Sequence, residues 1–462
     1  MLKSSVPWPT AGALLLALLL RALLPSSPVV ASEPSTPPPS LVVVTISSLR
    51  SDRVQSGSDD SSHMPYLQAM GQRGALLARA RTPVPETIPA LASLFTGLDP
   101  SHHGVYEDNR AASGVVSLAQ RLADRGYTNS AWLGDTDVAT TPFLTRGIKD
   151  VHALPEQSAA ALATAVVNAA GNSLADGSRF IWVHLSGASA PYIPQVSDLL
   201  AIRAEARNKA WRFSLAVSSR PGTPHMLPAA AVNGPIREAG FYLDSYDAVV
   251  RDLDRAIEII ETALAPSLAA SGGYLVVASV HGESLGEHGQ WLSHGHTLYE
   301  EELLVPICLL GPDIKPLPEP MESSWASLND LTPTLADLLG LETSRGRVGD
   351  GYNLASRLRT SSAPPGRSIT SGQGRPPYSQ ALLSEGRFKL IVTPPRPPVM
   401  EDVLDWPAAG RRELYDLHGD SLESKNLAKI RGNLSHDLAL FLRRHYPPWP
   451  KSPPALDRSR VR

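Results

Sequence analysis

The chain has 462 residues, with 42 Lys plus Arg against 45 Asp plus Glu, a formal net charge of −3 and a pI near 6.5. No long-range field draws such a chain to nucleic acid or another polyanion. Its 42% hydrophobic and 19% charged residues exclude disorder for the bulk, and the length fits one large domain with an appendage, or two to three ordinary ones. The single cysteine, Cys308, excludes an intramolecular disulfide framework, a multi-thiolate zinc site and an iron–sulfur cluster.

The N-terminus reads as a secretory signal over residues 1–31: a basic start at Lys3, an apolar run over 11–24 broken only by Arg21, then Val29-Val30-Ala31, with the cut expected after Ala31. The run falls short of the roughly 20 apolar residues that span a bilayer; an uncleaved N-terminal membrane anchor is the alternative. Residues 32–40 form a Pro-rich linker. The protein is therefore expected to be extracytoplasmic, secreted or periplasmic.

Residues 41–46 are a continuous β-branched run, the texture of a strand buried on both faces of a parallel sheet. The same texture returns at 180–185, 274–279 and 306–310, the last making Cys308 an inert core thiol. Helical periodicity covers 117–125, 159–174, 242–265 and 328–339. This alternation predicts a layered α/β fold with a mostly parallel central sheet over 41–345. Strands over 382–393 and 412–417 and a helix over 432–444 predict a small C-terminal α+β subdomain within 346–445. A basic, Pro-rich tail at 446–462 is expected to be disordered. Asn433-Leu434-Ser435 matches the N-glycosylation pattern, yet it falls inside the predicted helix.

Ligands of α/β proteins sit at loops following strand C-termini. Three such junctions are dense in polar residues: Ser47-Ser48-Leu49-Arg50-Ser51-Asp52; Thr87 to Gly97 leading into His102-His103-Gly104-Val105; and Val280-His281-Gly282-Glu283 through Glu287-His288-Gly289 to Ser293-His294-Gly295-His296. The histidines suit either a divalent metal or hydrogen-bonded polar loops. Arg50 and Asp52 are expected to pair locally, and His102 and His103 to fix the loop after Pro100. Glu283 and Glu287 are expected to orient His281 and His288.

The order of these segments resembles the sulfatase family of the alkaline phosphatase superfamily over about 41–427. The resemblance rests on Ile46-Ser47-Ser48-Leu49-Arg50-Ser51-Asp52; on Thr87-Ile88-Pro89-Ala90-Leu91-Ala92-Ser93-Leu94-Phe95-Thr96-Gly97 with His103-Gly104-Val105; and on Ser279-Val280-His281-Gly282-Glu283, Glu287-His288-Gly289 and His294-Gly295-His296. Leu331 to Gly340 and Glu413-Leu414-Tyr415-Asp416-Leu417 complete it. It implies an alkaline-phosphatase-like layered fold and sulfuric or phosphoric ester hydrolysis. By that resemblance Thr87 and His294 are the catalytic positions, and Thr87, His281 and His294 surviving metal-site positions. His184 and Ser189 fall at substrate-binding positions, in a segment similar to His-Leu-x-Asp-x-His-x-Pro-Tyr.

The departures run one way. Acidic metal ligands of the family are replaced by Ser47 and Val280, an acidic position by Gly187, an imidazole position by Ser189, and the basic residue after the nucleophile by Leu91. Threonine, a secondary alcohol, cannot become the formylglycine aldehyde of Cys- or Ser-type sulfatases. The resemblance thus implies a Thr-nucleophile-type variant with degenerate metal motifs, metal-dependent hydrolysis lost or much reduced, and no tightly bound cofactor. The alternative is an active ester hydrolase or phosphotransferase using Thr87 with a divalent metal (Ca, Mg, Mn or Zn), acting on a small-molecule, glycan or lipid ester.

Overall fold

Side chains of a strand point alternately to its two faces, and the run Leu-Val-Val-Val-Thr-Ile at Leu41–Ile46 uses both for burial. Val42, Val44 and Ile46 enter one apolar layer and Leu41 and Val43 the other. In the computed structural model this strand is the middle of a seven-stranded sheet. The structure describes residues 37–54, 62–105, 114–155, 157–170, 173–205, 207–318, 326–341, 349–362, 366–375, 377–396 and 407–446. The expected signal segment, most of the linker and the tail beyond residue 446 lie outside them.

The strands are β1 (Leu41–Ile46), β2 (Ala75–Arg81), β3 (Thr128–Leu133), β4 (Asp150–Ala153), β5 (Arg179–Leu185), β6 (Tyr274–Ser279) and β7 (Leu304–Leu310), in the order β2-β7-β6-β1-β5-β3-β4. β1 pairs in parallel with both β5 and β6, Thr45 lying opposite His184 and Ile46 opposite Ser279. Only β7 runs against its neighbours. A parallel return needs a long crossover, usually a helix, and the segment between β6 and β7 carries a short hairpin and one four-residue helix instead.

The main helices are α1 (Pro65–Arg73), α2 (Thr87–Thr96), α3 (Leu118–Asp124), α4 (Ala159–Ala170), α5 (Val196–Glu205), α6 (Ala239–Ala270), α7 (Leu331–Leu338) and α8 (Gly432–His445). α1, α4, α5 and α6 bury their apolar faces against Val42, Val44 and Ile46. The layer on the opposite face is built by α2, α3 and α7 around Leu94, Phe95, Leu122 and Leu335. A reciprocal capping box starts α3: Ser117 accepts from the Gln120 N–H, and the Gln120 side chain accepts from the Ser117 N–H. α6 spans 32 residues with Pro266 inside it, longer than the expected 242–265, because a proline in the last turns removes only one backbone bond. Cys308 is fully buried in the α6-side layer, where burial pushes its thiol up to about 12. Among the described residues no helix is long and apolar enough to cross a membrane.

Strands β2, β3 and β4 carry no continuous apolar run, and the ladder with neighbours makes them strands where local propensity does not. The expected strand over 382–393 is two, β9 (Gln380–Ser384) and β10 (Phe388–Thr393), because Glu385 and Gly386 turn with φ of 45° and 65°. With β8 (Ile369–Gly372) and β11 (Arg411–Asp416) they form the antiparallel sheet β8-β9-β10-β11. Buried charges tie this sheet to the central one. Lys389 of β10 bonds Glu300 at 2.9 Å and Glu423 at 2.8 Å, while Arg81 of β2 bonds Glu300 at 2.6 Å. Asn433 and Ser435 both lie within α8.

Candidate active site

The expected nucleophile segment is not a loop: Thr87 is the first residue of α2. That helix is held at depth by Phe95, whose ring meets Trp182 of β5 edge-on at 4.8 Å, and by Thr332 of α7, whose hydroxyl donates to the Leu94 carbonyl. Its N-terminus faces the C-terminal ends of β1, β5 and β6. Glu86 supplies the extended residue before the helix without a side-chain cap. The first N–H groups of α2 therefore remain outside its own ladder at the positive end of the helix dipole.

Two distant segments close on Thr87. Its Oγ1 lies 2.9 Å from Nε2 of His281 and 3.2 Å from Oγ of Ser47. His281, just past β6, is fully buried, and its Nδ1 lies 2.8 Å from the Gly282 carbonyl. A carbonyl only accepts, so Nδ1 carries the proton, Nε2 is the lone-pair nitrogen, and Thr87 donates to it. Burial, then the adjacent His294, holds the His281 pKa well below its usual value, which keeps the ring neutral. Ser47 follows β1 and extends its ladder through an N–H bond to Leu185.

His294 lies beside His281 with ring centroids 4.2 Å apart and planes tilted by 33°, and it places Nδ1 3.0 Å from Oε2 of Glu283. Burial opposes its charge, but the Glu283 carboxylate and hydrogen bond outweigh it and raise the pKa above the usual histidine range. The site thus sets a neutral imidazole against the hydroxyl and a second one that favours its cationic form.

His184, expected to contact substrate, is fully buried, with Nδ1 2.8 Å from Thr45 Oγ1 and Nε2 3.2 Å from Ser47 Oγ. Burial lowers its pKa to about 4. It positions Ser47, because strand alternation turns it inward beside Trp182, whose Nε1 donates to Thr45. Leu91 and Val280 are fully buried in the same apolar layer, and neither side chain offers a polar atom to the site. Ser189 stays near the site, 3.0 Å from Ser48 Oγ. Glu283 serves His294 rather than His281, and Glu287 bonds Arg50 while His288 bonds Glu301. Arg50 and Asp52 pair as expected, and His103 fixes its loop through Ser93 and the Val105 N–H.

Arg375 and Glu86 carried no local signal. Arg375, between β8 and β9, bonds Glu86 at 2.7 Å and lies close enough to depress the pKa values of His281 and His296. Only the return of the C-terminal sheet brings this guanidinium to the site.

A hard divalent cation wants several oxygens, with carboxylates to offset its charge. Around Thr87 the converging atoms are two hydroxyls and two imidazole nitrogens, already bonded to one another at 2.9–3.2 Å. Of the nearby Glu283 carboxylate, Oε2 is engaged by His294, while Oε1 is buried with no hydrogen-bond partner among the described residues. This donor set does not suit calcium or magnesium.

Residues 39–341 match the family model described as Sulfatase. The chain is 24% identical over 456 residues to the choline-sulfatase of Rhizobium meliloti (strain 1021), covering 84% of this chain and 82% of that protein. Its fold superposes on the phosphonate monoester hydrolase of Agrobacterium radiobacter with a TM-score of 0.64 at 17% identity, covering 88% and 95% of the two chains. It also matches a protein solved in complex with its substrate D-glucosamine-2-N,6-O-disulfate, with a TM-score of 0.67 at 15% identity, covering 90% and 100%. With the family match spanning more than half of its length, the chain belongs to the sulfatase family.

Proposed function

We propose that this sulfatase-family protein is an extracytoplasmic binder of anionic esters in which metal-dependent hydrolysis has been lost or much reduced. The observation that carries this reading is the set of groups facing Thr87, hydroxyls and imidazoles without a carboxylate, together with the burial of Leu91 and Val280 in the core. What remains favours an anion: the N-terminus of α2, the His294 imidazole and the Arg375 guanidinium. Without a cation to take up charge developing on sulfuryl or phosphoryl oxygens, several kcal/mol of transition-state stabilisation are missing. The N-terminal signal pattern supports export.

A second reading is favoured by one contact. Thr87 donates to the lone pair of His281, the arrangement of a hydroxyl nucleophile and its general base. In an ester hydrolase of this kind Thr87 Oγ would bond to phosphorus or sulfur, its proton would pass to Nε2, and the ester oxygen would leave. The depressed pKa of His281 makes it a weak base at neutral pH.

The two readings separate in one experiment on the full chain, with generic aryl sulfate, phosphate and phosphonate monoesters. Saturable binding of the intact esters with turnover at background is the expected result. Robust turnover that Thr87→Ala abolishes would establish the hydrolase instead.

A further inference from the structure

We propose that Asp99, His102 and Asp350 form a binding site for a zinc-type divalent cation at the end of α2 opposite Thr87. Gly97 ends α2 with a φ of 71°, and a single helical turn, Pro100–His103, follows. Asp99 precedes that turn and His102 stands within it. The turn at 349–351 folds back so that the N–H groups of Asp350 and Gly351 both donate to the Gly97 carbonyl, at 2.6 and 3.0 Å. That return brings Asp350 to the other two residues: its Oδ2 lies 2.7 Å from Nδ1 of His102 and 2.8 Å from the Asp99 N–H. One donor atom from each of the three residues lies within 4.8 Å of the others.

An independent feature points to a ligand here. Asn329 is 4% exposed, donates Nδ2 to Asp99 Oδ1 at 2.8 Å, and leaves Oδ1 buried with no hydrogen-bond partner among the described residues. A buried amide oxygen without a partner is costly. Asn329, Asp99, His102 and Asp350 line one cavity of about 270 Å³, with Arg367 and His445 also on its wall. Arg367 bonds Asp330, and its charge also reaches Asp99.

Imidazole mixed with carboxylate suits zinc-type ions, whereas calcium and magnesium take all-oxygen shells of six or more ligands. Ligands of a tetrahedral zinc at about 2.0 Å sit about 3.3 Å apart. His102 Nδ1 and Asp350 Oδ2, at 2.7 Å, must therefore part slightly while Asp99 draws in, and the half-exposed His102 side chain has the freedom to adjust. α2 holds ten residues, which puts this site about 15 Å along the helix from Thr87. It is consequently separate from the candidate active site, and its role is to lock the end of α2 to the returning turn.

The test is calorimetric titration of Zn²⁺ into the full chain after chelator stripping, with melting curves alongside. One equivalent should bind and raise the melting temperature. Asp99→Asn and His102→Ala should each weaken binding at least tenfold, while Thr87→Ala and His281→Ala leave it intact. His102 is exposed enough that its variant should fold, which the metal-free melt checks. Absence of binding, a Ca²⁺ response equal to that of Zn²⁺, or binding that persists in both site variants but is lost in His281→Ala would overturn the proposal.

Discussion

Thr87 Oγ1 and His281 Nε2 stand 2.9 Å apart although 194 positions separate them in the chain. The backbone carbonyl of Gly282, 2.8 Å from Nδ1, fixes which nitrogen of His281 can accept, so the direction of this hydrogen bond is set by the loop after β6. The hydroxyl is oriented through Ser47 on one side and His281 on the other.

Removing the Thr87 hydroxyl should leave Nε2 of His281 without its partner. Thr87→Val is expected to cost about 1 kcal/mol, the low end for a lost buried hydrogen bond, since Thr87 is partly exposed and water can reach the gap. Thr87→Ser should cost less. Urea denaturation of the two variants checks this; equal stability of wild type and Thr87→Val would mean that the contact contributes nothing.

Restoring carboxylates should restore metal dependence. Val280 is fully buried, so Ser47→Asp plus Val280→Asp is expected to lose about 3–5 kcal/mol in chelator, the scale of an uncompensated buried charge. Gly187→Asp can be added with little steric cost, because a Cβ there meets only Leu253 Cδ2, at 4.0 Å. The triple variant should melt below the parent in chelator and recover on adding Ca²⁺ or Mg²⁺, because a cation bound only by the folded state stabilises it. Melting curves run in a His102→Ala background keep the Asp99 cluster out of the comparison. A strong Ca²⁺ response of the unrepaired chain would contradict the proposed loss.

Acid should unfold the protein through its buried neutral histidines. Burial lowers His103 to about 3 and His184 to about 4, below the ordinary value near 6.5. From about pH 6.5 down to those values the unfolded chain takes up protons that the native state refuses, so stability falls as pH falls, by about 1.4 kcal/mol per pH unit for each histidine. The raised pKa values of His288 and His294 act in the opposite sense, adding stability that is complete at low pH and lost above 6.5. Denaturation midpoints between pH 7 and 5 should therefore drop, and His103→Gln should flatten the slope by about one such increment. An unchanged slope in that variant would rule out His103 as a contributor.

Lys389 holds the C-terminal sheet to the central one. Lys389→Met should destabilise by about 3–5 kcal/mol, because it leaves buried carboxylates short of a cation. Glu300 keeps Arg81, so the deficit falls mainly on Glu423. Adding Glu423→Gln should recover part of the loss, and a double-mutant cycle by chemical denaturation measures the coupling. Strict additivity of the two changes would show that the pair is energetically independent.

Some features were open to reading before any coordinates. β1 and β6 have the predicted bounds because a parallel strand buried on both faces must be apolar throughout, whatever it packs against. Cys308 was legible as inert for the same reason. The ordered motifs around Ser47, Thr87, His281 and His294 were enough to name the family, since they are short local patterns. The departures from the family pattern at Ser47, Val280, Gly187, Ser189 and Leu91 were equally visible, being matters of residue type.

What side chains touch was decided by the tertiary structure alone. Whether Thr87 meets His281 depends on how α2 packs on Trp182 and where β6 ends. His184 turns inward because its place in β5 fixes the face it occupies, and a histidine in a motif carries no mark of that. Glu283 chose His294 over His281, and Arg375 reached the site from the far C-terminal sheet. The cluster of Asp99, His102 and Asp350 spans 251 positions and exists only because Gly97 receives the returning turn at Asp350. Residue types set which donors, acceptors and charges are available, whereas chain reversal and strand register set the distances, and hydrogen bonding and electrostatic coupling depend on distance.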